Sequence, residues 1–130
     1  GREQLVLPWC GWCLRAGRLD DALAALDALP PPNINRGANP LFPPQAIGAA
    51  IPRLSEWGDL SHVNSLKQVL LDSADGAGEG KAWIAFRMAT ILAIRMAEDG
   101  RKEDAEALLD TLEKRSGGSA SAQRWLDSAR

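Results

Sequence analysis

Apolar residues recur along the chain at spacings of three and four, which place them on one face of a helix. The pattern predicts helices near 7–16, 19–29, 45–57, 60–74, 81–99, 102–115 and 120–129. Helix 81–99 is apolar on nearly every side, so we expect it to be the central helix, covered by neighbours on both sides. Pro52 falls inside the third predicted helix, where its ring would clash with the carbonyl of Gly48, so we expect a kink or break there.

The apolar pattern occurs three times along the chain, each time at the same offsets from a glycine. Gly17, Gly58 and Gly100 are 41 and then 42 residues apart. Apolar residues lie seven and four positions before each glycine, at Cys10 and Cys13, Ile51 and Leu54, and Ala93 and Met96. Apolar stripes also follow each glycine at matching offsets. For each unit the pattern therefore predicts a helix, a tight turn and a returning helix. Glycine suits such a turn because left-handed backbone at a helix end costs little without a Cβ.

The predicted units cover about 4–32, 44–74 and 81–116, within one helical domain, 1–130. A last helix, 119–130, is expected to seal the stack with Trp125 and Leu126, capped by Ser119 or Ser121. Residues 30–44 contain six of the eight prolines, which predicts an extended, semi-rigid linker. That linker either spaces the first two units or docks as a proline-rich segment.

Composition favours the all-α class and an intracellular protein. The chain has 21 Ala and 18 Leu but only three Val, six Ile and two Thr, which leaves few residues for a sheet. The longest apolar run is short and interrupted by Arg, and no targeting segment is recognised, so no membrane association is expected. Two cysteines three residues apart favour a reducing compartment, cytoplasmic or organellar, over a disulfide-stapled fold.

Two segments of the chain, Cys13–Leu23 and Met96–Ala105, resemble the hairpin centres of tetratricopeptide and pentatricopeptide repeats. The resemblance implies a short right-handed solenoid of α-α hairpins whose first helices line a concave surface, and it implies no catalytic reaction. The chain departs from the family in its long period, in Pro52, and in Lys67, which replaces an expected apolar residue. Three units lie near the minimum for independent stability, so a longer array is an open alternative.

By the same resemblance, a partner contacts first-helix positions 13, 10, 6, 3 and 2 residues before each hairpin glycine. The partner-binding residues expected on this basis are Gln4, Arg15, Gln45, Ser55, Glu56, Arg87, Thr90, Ile94 and Glu98. The residues themselves agree in part, because Arg87, Ile94 and Glu98 share one narrow strip of an otherwise apolar helix. The alternative is that an arginine such as Arg87 merely extends from a packed helix into solvent.

The two branches of the family bind different partners. Tetratricopeptide-like arrays hold a peptide or helix of another protein, whereas pentatricopeptide-like arrays read single-stranded RNA one base per unit. The main reading position, ten before each glycine, holds Leu7, Gly48 and Thr90, and only Thr90 can hydrogen-bond a base edge. The formal net charge is -2, and contacts to an RNA backbone need cations. We therefore favour a protein-binding scaffold and keep an organellar RNA-binding protein as the alternative.

One motif suggests an enzyme. Cys10 and Cys13 form a C-x-x-C pair that opens a helix, as in thiol oxidoreductases of the thioredoxin type. No strand pattern follows it, so oxidoreductase activity is a remote alternative, and we expect buried structural cysteines and no catalysis. With His62 distant and expected to be exposed, these residues fall short of a zinc site, and no metal or cofactor is expected. The five tryptophans are expected in the core, with Trp57 as the exception.

Overall fold

The computed structural model describes residues 5–28, 44–76 and 81–130. Its helices are α1 (Val6–Arg15), α2 (Leu19–Asp27), α3 (Pro44–Ala49), α4 (Val63–Ser73), α5 (Lys81–Glu98), α6 (Lys102–Lys114) and α7 (Ala120–Ala129). These described residues contain no β-strand, so the predicted all-α class is confirmed. Gln4 and the predicted linker before Pro44 lie outside the described residues.

Two of the three predicted glycine turns join helices as expected. Gly17 lies in the turn between α1 and α2 with φ +73°, and Gly100 lies in the turn between α5 and α6 with φ +82°. In the first turn, the N–H of Arg18 donates to the carbonyl of Cys13 at 2.8 Å. The equivalent bond in the second turn joins Arg101 to Met96, also at 2.8 Å. This is the Schellman arrangement, in which a left-handed residue lets the chain satisfy the last carbonyls of a helix.

The middle unit differs from its prediction. Helix α3 ends at Ala49, well short of residue 57, and a 3-10 turn over Leu54–Glu56 follows Pro52. Gly58 is absent from the described residues with positive φ, so the predicted left-handed turn at Gly58 is wrong. Pro52 has no N–H to continue a helix, so the chain leaves helical geometry before it. The N–H of Gly58 instead donates to the carbonyl of Arg15 in the first hairpin.

The start of α4 is also later than the predicted residue 60. The carboxylate of Asp59 accepts a hydrogen bond from the N–H of Ser61 at 2.8 Å. Such a local bond stabilises a turn in competition with helix. Helix α4 therefore begins only at Val63, which is buried.

Helix α5 is the central helix, as predicted. It contacts α3, α4, α6 and α7, whereas α1 contacts α2 and α3. Its fully buried side chains include Phe86, Leu92 and Met96, because a helix with neighbours on several sides must be apolar around most of its circumference. Within the described ranges, neither α5 nor any other helix is long and apolar enough to cross a membrane.

Two arginines connect neighbouring parts of the chain through backbone carbonyls. The Nε of Arg95 on α5 donates to the carbonyl of Ile51 at 2.8 Å. A guanidinium nitrogen of Arg115, just after α6, donates to the carbonyl of Leu71 on α4 at 2.6 Å. Each bond adds a charged donor to a carbonyl near the end of a short element; the carbonyl of Leu71 also accepts the N–H of Ala74 at 3.3 Å. These bonds attach α5 and α6 to the irregular middle unit.

The exposure of three tryptophans differs from the prediction. Trp57 was expected to be the exposed exception, but it is only 6% exposed, and its indole N–H donates to the carbonyl of Pro52 at 3.1 Å. Trp9 and Trp12 were expected in the core, but they are 47% and 46% exposed and stack on each other with ring centroids 5.0 Å apart. They occupy the outward side of α1 because its inward side is filled by smaller residues, including Cys10 and Cys13.

Candidate binding surface

The predicted partner-binding strip of α5 is organised around Arg87. Its guanidinium lies over the ring of Trp125 on α7, 5.6 Å from the ring centroid. One guanidinium nitrogen is 3.3 Å from the hydroxyl of Thr90. Among the described residues, no acidic side chain comes within 4.0 Å of this guanidinium. Partial burial lowers the pKa of Arg87, but an arginine remains charged at any physiological pH.

Helix α7 supplies the aromatic part of this site. Trp125 stacks on Trp83 with ring centroids 5.9 Å apart, and it lies 6.0 Å from Phe86 in a tilted arrangement. Helix α7 is capped at its N-terminus by Ser119, one of the two predicted caps, whose hydroxyl accepts the N–H of Ala122 at 3.2 Å. We call Arg87, Trp83 and Trp125 the Arg87 cluster. It combines a cation and flat apolar rings, a surface suited to a group that is anionic at one end and apolar beside it.

Thr90 and Ile94 contribute less to this surface than their positions suggested. Thr90 is completely buried, and its hydroxyl donates to the carbonyl of Arg87 at 2.7 Å. Its hydrogen-bonding capacity is used inside the protein, where it orients Arg87. Ile94 is partly buried on the same helix. Of these two, only Ile94 offers area to a partner.

A second group of predicted residues lies at the turn end of the helices and is held in ion pairs. Arg15 and Glu56 are 3.5 Å apart, and Ser55 beside them is exposed. Glu98 is 3.2 Å from the Nε of Arg53 and 3.0 Å from a terminal nitrogen of Arg95. We call these two sets of pairs the ion-pair edge; surface pairs of this kind contribute little to stability.

The structure thus separates the predicted residues into two places. Arg87 and Glu98 are eleven positions apart, or about 16 Å along the axis of α5 at the helical rise per residue. Gln45 lies in α3, but its side chain, like the whole of Gln4, falls outside the described residues. Sequence reasoning missed Trp125 and Arg53 as neighbours of these residues, because neither occupies one of the positions counted back from a glycine.

The C-x-x-C pair is part of the core. Cys10 and Cys13 are both buried with free thiols, as predicted. Burial, and secondarily the neighbouring Cys13, raises the pKa of Cys10 to about 12. A reactive cysteine needs the opposite shift, because the thiolate is the nucleophile. The pair therefore contributes packing in α1, which lies against α3.

The described residues contain no group of three or more His, Cys, Asp or Glu arranged to hold a metal ion. The imidazole of His62, which is partly exposed, lies 3.6 Å from a carboxylate oxygen of Asp59. Comparison with known proteins gives no further assignment: no family model, no curated protein and no solved structure matches this chain.

Proposed function

We propose that this chain is a protein-binding scaffold of the tetratricopeptide-like type, in which α-α hairpins stack as a short right-handed solenoid. The order of helix contacts supports the proposal. The odd-numbered helices pack in series, α1 on α3, α3 on α5 and α5 on α7. Of the even-numbered helices, α2 contacts α1, α4 and α6 contact α5, and α6 also contacts α7. In such a stack the odd-numbered helices form the concave side.

The observation that carries the proposal is the Arg87 cluster, which joins α5 to α7. A guanidinium that has no acidic side chain within 4.0 Å among the described residues, and that lies on an aromatic ring, is a ready partner for a carboxylate. Bidentate Arg–carboxylate pairing is directional, so it would fix the register of a bound segment. The proposed ligand is an acidic peptide or helix of another protein whose apolar residues contact Trp83 and Ile94.

The ion-pair edge has a different role in this proposal. Glu98 and Glu56 already have arginine partners, at 3.2 Å and 3.5 Å. A partner that bound them would have to displace those arginines. We therefore assign this edge to the rim of the surface, where charges affect association rate and orientation more than affinity.

RNA binding remains the competing proposal, and three features of the surface make it the weaker one. Leu7 and Thr90, two of the three base-reading positions, are buried at 2% and 0% exposure. The third position, Gly48, has no side chain. Arg53 and Arg95, which would contact a nucleic-acid backbone, are both paired with Glu98.

The proposal is tested by selecting random 12-residue peptides displayed on phage against the immobilised chain. The affinity of the synthesised peptides is then measured by fluorescence anisotropy. We expect acidic sequences to be enriched and Arg87→Met to weaken them about 10- to 100-fold, because a hydrogen bond to a charged group is worth about 1.5–3 kcal/mol. Methionine keeps an apolar side chain over Trp125, so the variant is expected to fold.

The matched control is Arg124→Met, at an exposed arginine of α7, which should leave the affinity unchanged. Equal losses in both variants, or no enrichment of acidic peptides, would contradict the proposal. The same assay with mixed single-stranded RNA decides the alternative. Micromolar binding that weakens steeply with salt would replace protein binding by RNA binding.

A further inference from the structure

Helix α1 has a second apolar stripe, on the side that faces solvent. Four residues form this outer stripe, at spacings of four, three and four: Leu5, Trp9, Trp12 and Ala16. The backbone is helical at both flanking residues, Leu5 and Ala16, so the four side chains lie on one face. All four are exposed. Leu5, Trp9 and Trp12, at 66%, 47% and 46%, are the most exposed large apolar side chains among the described residues.

The other end of the helix series has a different outer face. Helices α1 and α7 are the two ends of the series in which the odd-numbered helices pack on one another. The exposed residues of α7 include Ser121, Arg124 and Asp127. A terminal helix of a stack needs such a polar outer face to remain soluble. The apolar outer face of α1 is instead typical of a surface that another molecule covers.

The spacing of the outer stripe suits pairing with a second copy of the same helix. In a two-fold symmetric dimer, each contact between two different residues occurs twice. The order four, three, four is the same in both chain directions. In an antiparallel pair of α1 helices, Leu5 of each copy therefore meets the small Ala16 of the other, and Trp9 meets Trp12. A large residue opposite a small one is the arrangement by which facing layers interdigitate.

The charges beside the outer stripe favour a partner without net charge. The guanidinium of Arg18 lies 5.7 Å from the centroid of the Trp12 ring, and it pairs with the carboxylate of Asp21 at 2.6 Å. A strongly acidic or strongly basic partner would compete for one member of this pair and leave the other without its counterion. A second copy brings one cation and one anion to the same place, so each charge keeps an opposite charge beside it.

A shallow groove next to the outer stripe enlarges the contact. The groove measures about 560 Å³ and is lined by Leu5, Val6, Trp9, Asp21, Ala24, Ala25 and Ala28. Trp12 of a second copy, placed beside Trp9, would lie over it. Leu5 and the two half-exposed indoles offer roughly 300 Å² of apolar area per copy. Two copies therefore bury less than about 1,200 Å² in total, which is the range of weak association.

We propose that the outer stripe of α1 is a self-association surface, through which two copies of this chain pair with their α1 helices antiparallel. The dimer is weak, so it forms in proportion to concentration. The site is independent of the proposed function, because the Arg87 cluster lies on α5 and α7.

The first test is sedimentation velocity of the full chain between about 10 µM and 1 mM. We expect a dissociation constant on the order of 100 µM. Trp9→Glu places a carboxylate in the apolar contact and should weaken association at least tenfold. The matched control is Leu60→Glu, at a residue 44% exposed outside α1, which should stay within about twofold of the wild type. Circular dichroism checks that both variants fold.

Two results of that test would overturn the proposal: a wild-type chain that is monomeric at 1 mM, or equal association of the wild type and Trp9→Glu. A third comes from NMR of a dilute, monomeric sample. Nuclear Overhauser contacts between the indole protons of Trp9 or Trp12 and residues 29–43 would show that the chain covers the outer stripe itself.

The second test determines the direction of pairing. The double variant Leu5→Cys, Ala16→Cys is treated with a short bismaleimide, and peptide mapping locates the link. The two positions are about 16 Å apart along α1, too far for the reagent to join them within one copy, and the native Cys10 and Cys13 are buried. We expect links between position 5 of one copy and position 16 of the other. Links between identical positions, or a dimer that forms without any link, would overturn the antiparallel arrangement.

Discussion

The same substitution, Gly to Ala, should have opposite effects at two positions of this fold. Gly100 has φ +82°, and a Cβ built on it would meet nothing within 4 Å. Its substitution therefore changes backbone strain and little else. Gly48 lies in helix α3 and has no positive φ, and a Cβ built on it would also meet nothing within 4 Å. There, alanine should fit the helix better than glycine does.

The magnitudes follow from these geometries. A left-handed residue with a Cβ costs about 1–2 kcal/mol, and the smaller conformational freedom of the unfolded alanine variant offsets about 0.4–1 kcal/mol of that. Gly100→Ala should thus lower the free energy of unfolding by about 1 kcal/mol, which corresponds to a Tm lower by about 3–6 °C for a chain of this size. Gly48→Ala should raise it by about 0.5 kcal/mol.

The measurement is urea and thermal unfolding followed by circular dichroism at 222 nm. Gly17→Ala provides a graded comparison, because it combines φ +73° with a Cβ only 2.9 Å from the Cβ of Asp59. Gly17→Ala should lower the free energy of unfolding by more than Gly100→Ala does. A Gly100→Ala protein as stable as the wild type would refute the reasoning, since the left-handed turn between α5 and α6 would then be absent.

Two further predictions concern buried polar groups. Trp57→Phe removes the indole donor to the carbonyl of Pro52 and should lower the free energy of unfolding by about 1–3 kcal/mol in urea titrations; an unchanged midpoint would show that this bond does not form. Burial in the folded protein raises the pKa of Cys10 to about 12 from an ordinary 9.0. As pH rises, the Cys10 thiol therefore loses its proton at a lower pH in the unfolded state than in the folded state. The contribution of Cys10 to stability is therefore intact below pH 9 and is lost between pH 9 and 12, by at most about 1.4 kcal/mol per pH unit. Cys10→Ala should flatten that decline, and parallel curves for the two proteins between pH 8 and 10.5 would contradict the assignment.

The parts of the fold that sequence predicted well are those with local start and stop signals. Helix α6 was expected over 102–115 and spans Lys102–Lys114. A glycine precedes it, Glu103 and Asp104 occupy its first turn, and its buried residues keep helical spacing. Helix α5 likewise has a clear C-terminal signal, the left-handed glycine at position 100. In both cases the signals act within one turn of the boundary, so tertiary packing does not have to be known.

The middle unit shows what an apolar pattern does and does not encode. Ile51 and Leu54 are spaced like helical core residues, and both are buried, at 0% and 1% exposure. The backbone that carries them is nevertheless irregular from Ile51 to Arg53, followed by a 3-10 turn. The pattern thus predicted burial correctly and helix incorrectly. Pro52 was the local evidence for the break, and its effect extended to the whole second half of the predicted helix.

The candidate surface depended on contacts between distant parts of the chain. Counting back from Gly100, as the resemblance in the sequence suggests, identifies Arg87, but it does not show that Trp125, from the last helix, lies under the guanidinium at 5.6 Å. Counting positions also does not show which acids lie near Arg87. Glu98, the acid predicted on the same strip, lies about 16 Å away along α5 and is held by Arg53 and Arg95. The ring under Arg87 and one partner of Glu98, Arg53, therefore come from parts of the chain outside α5. A rule based on counting back from a glycine can place the residue but not its partners.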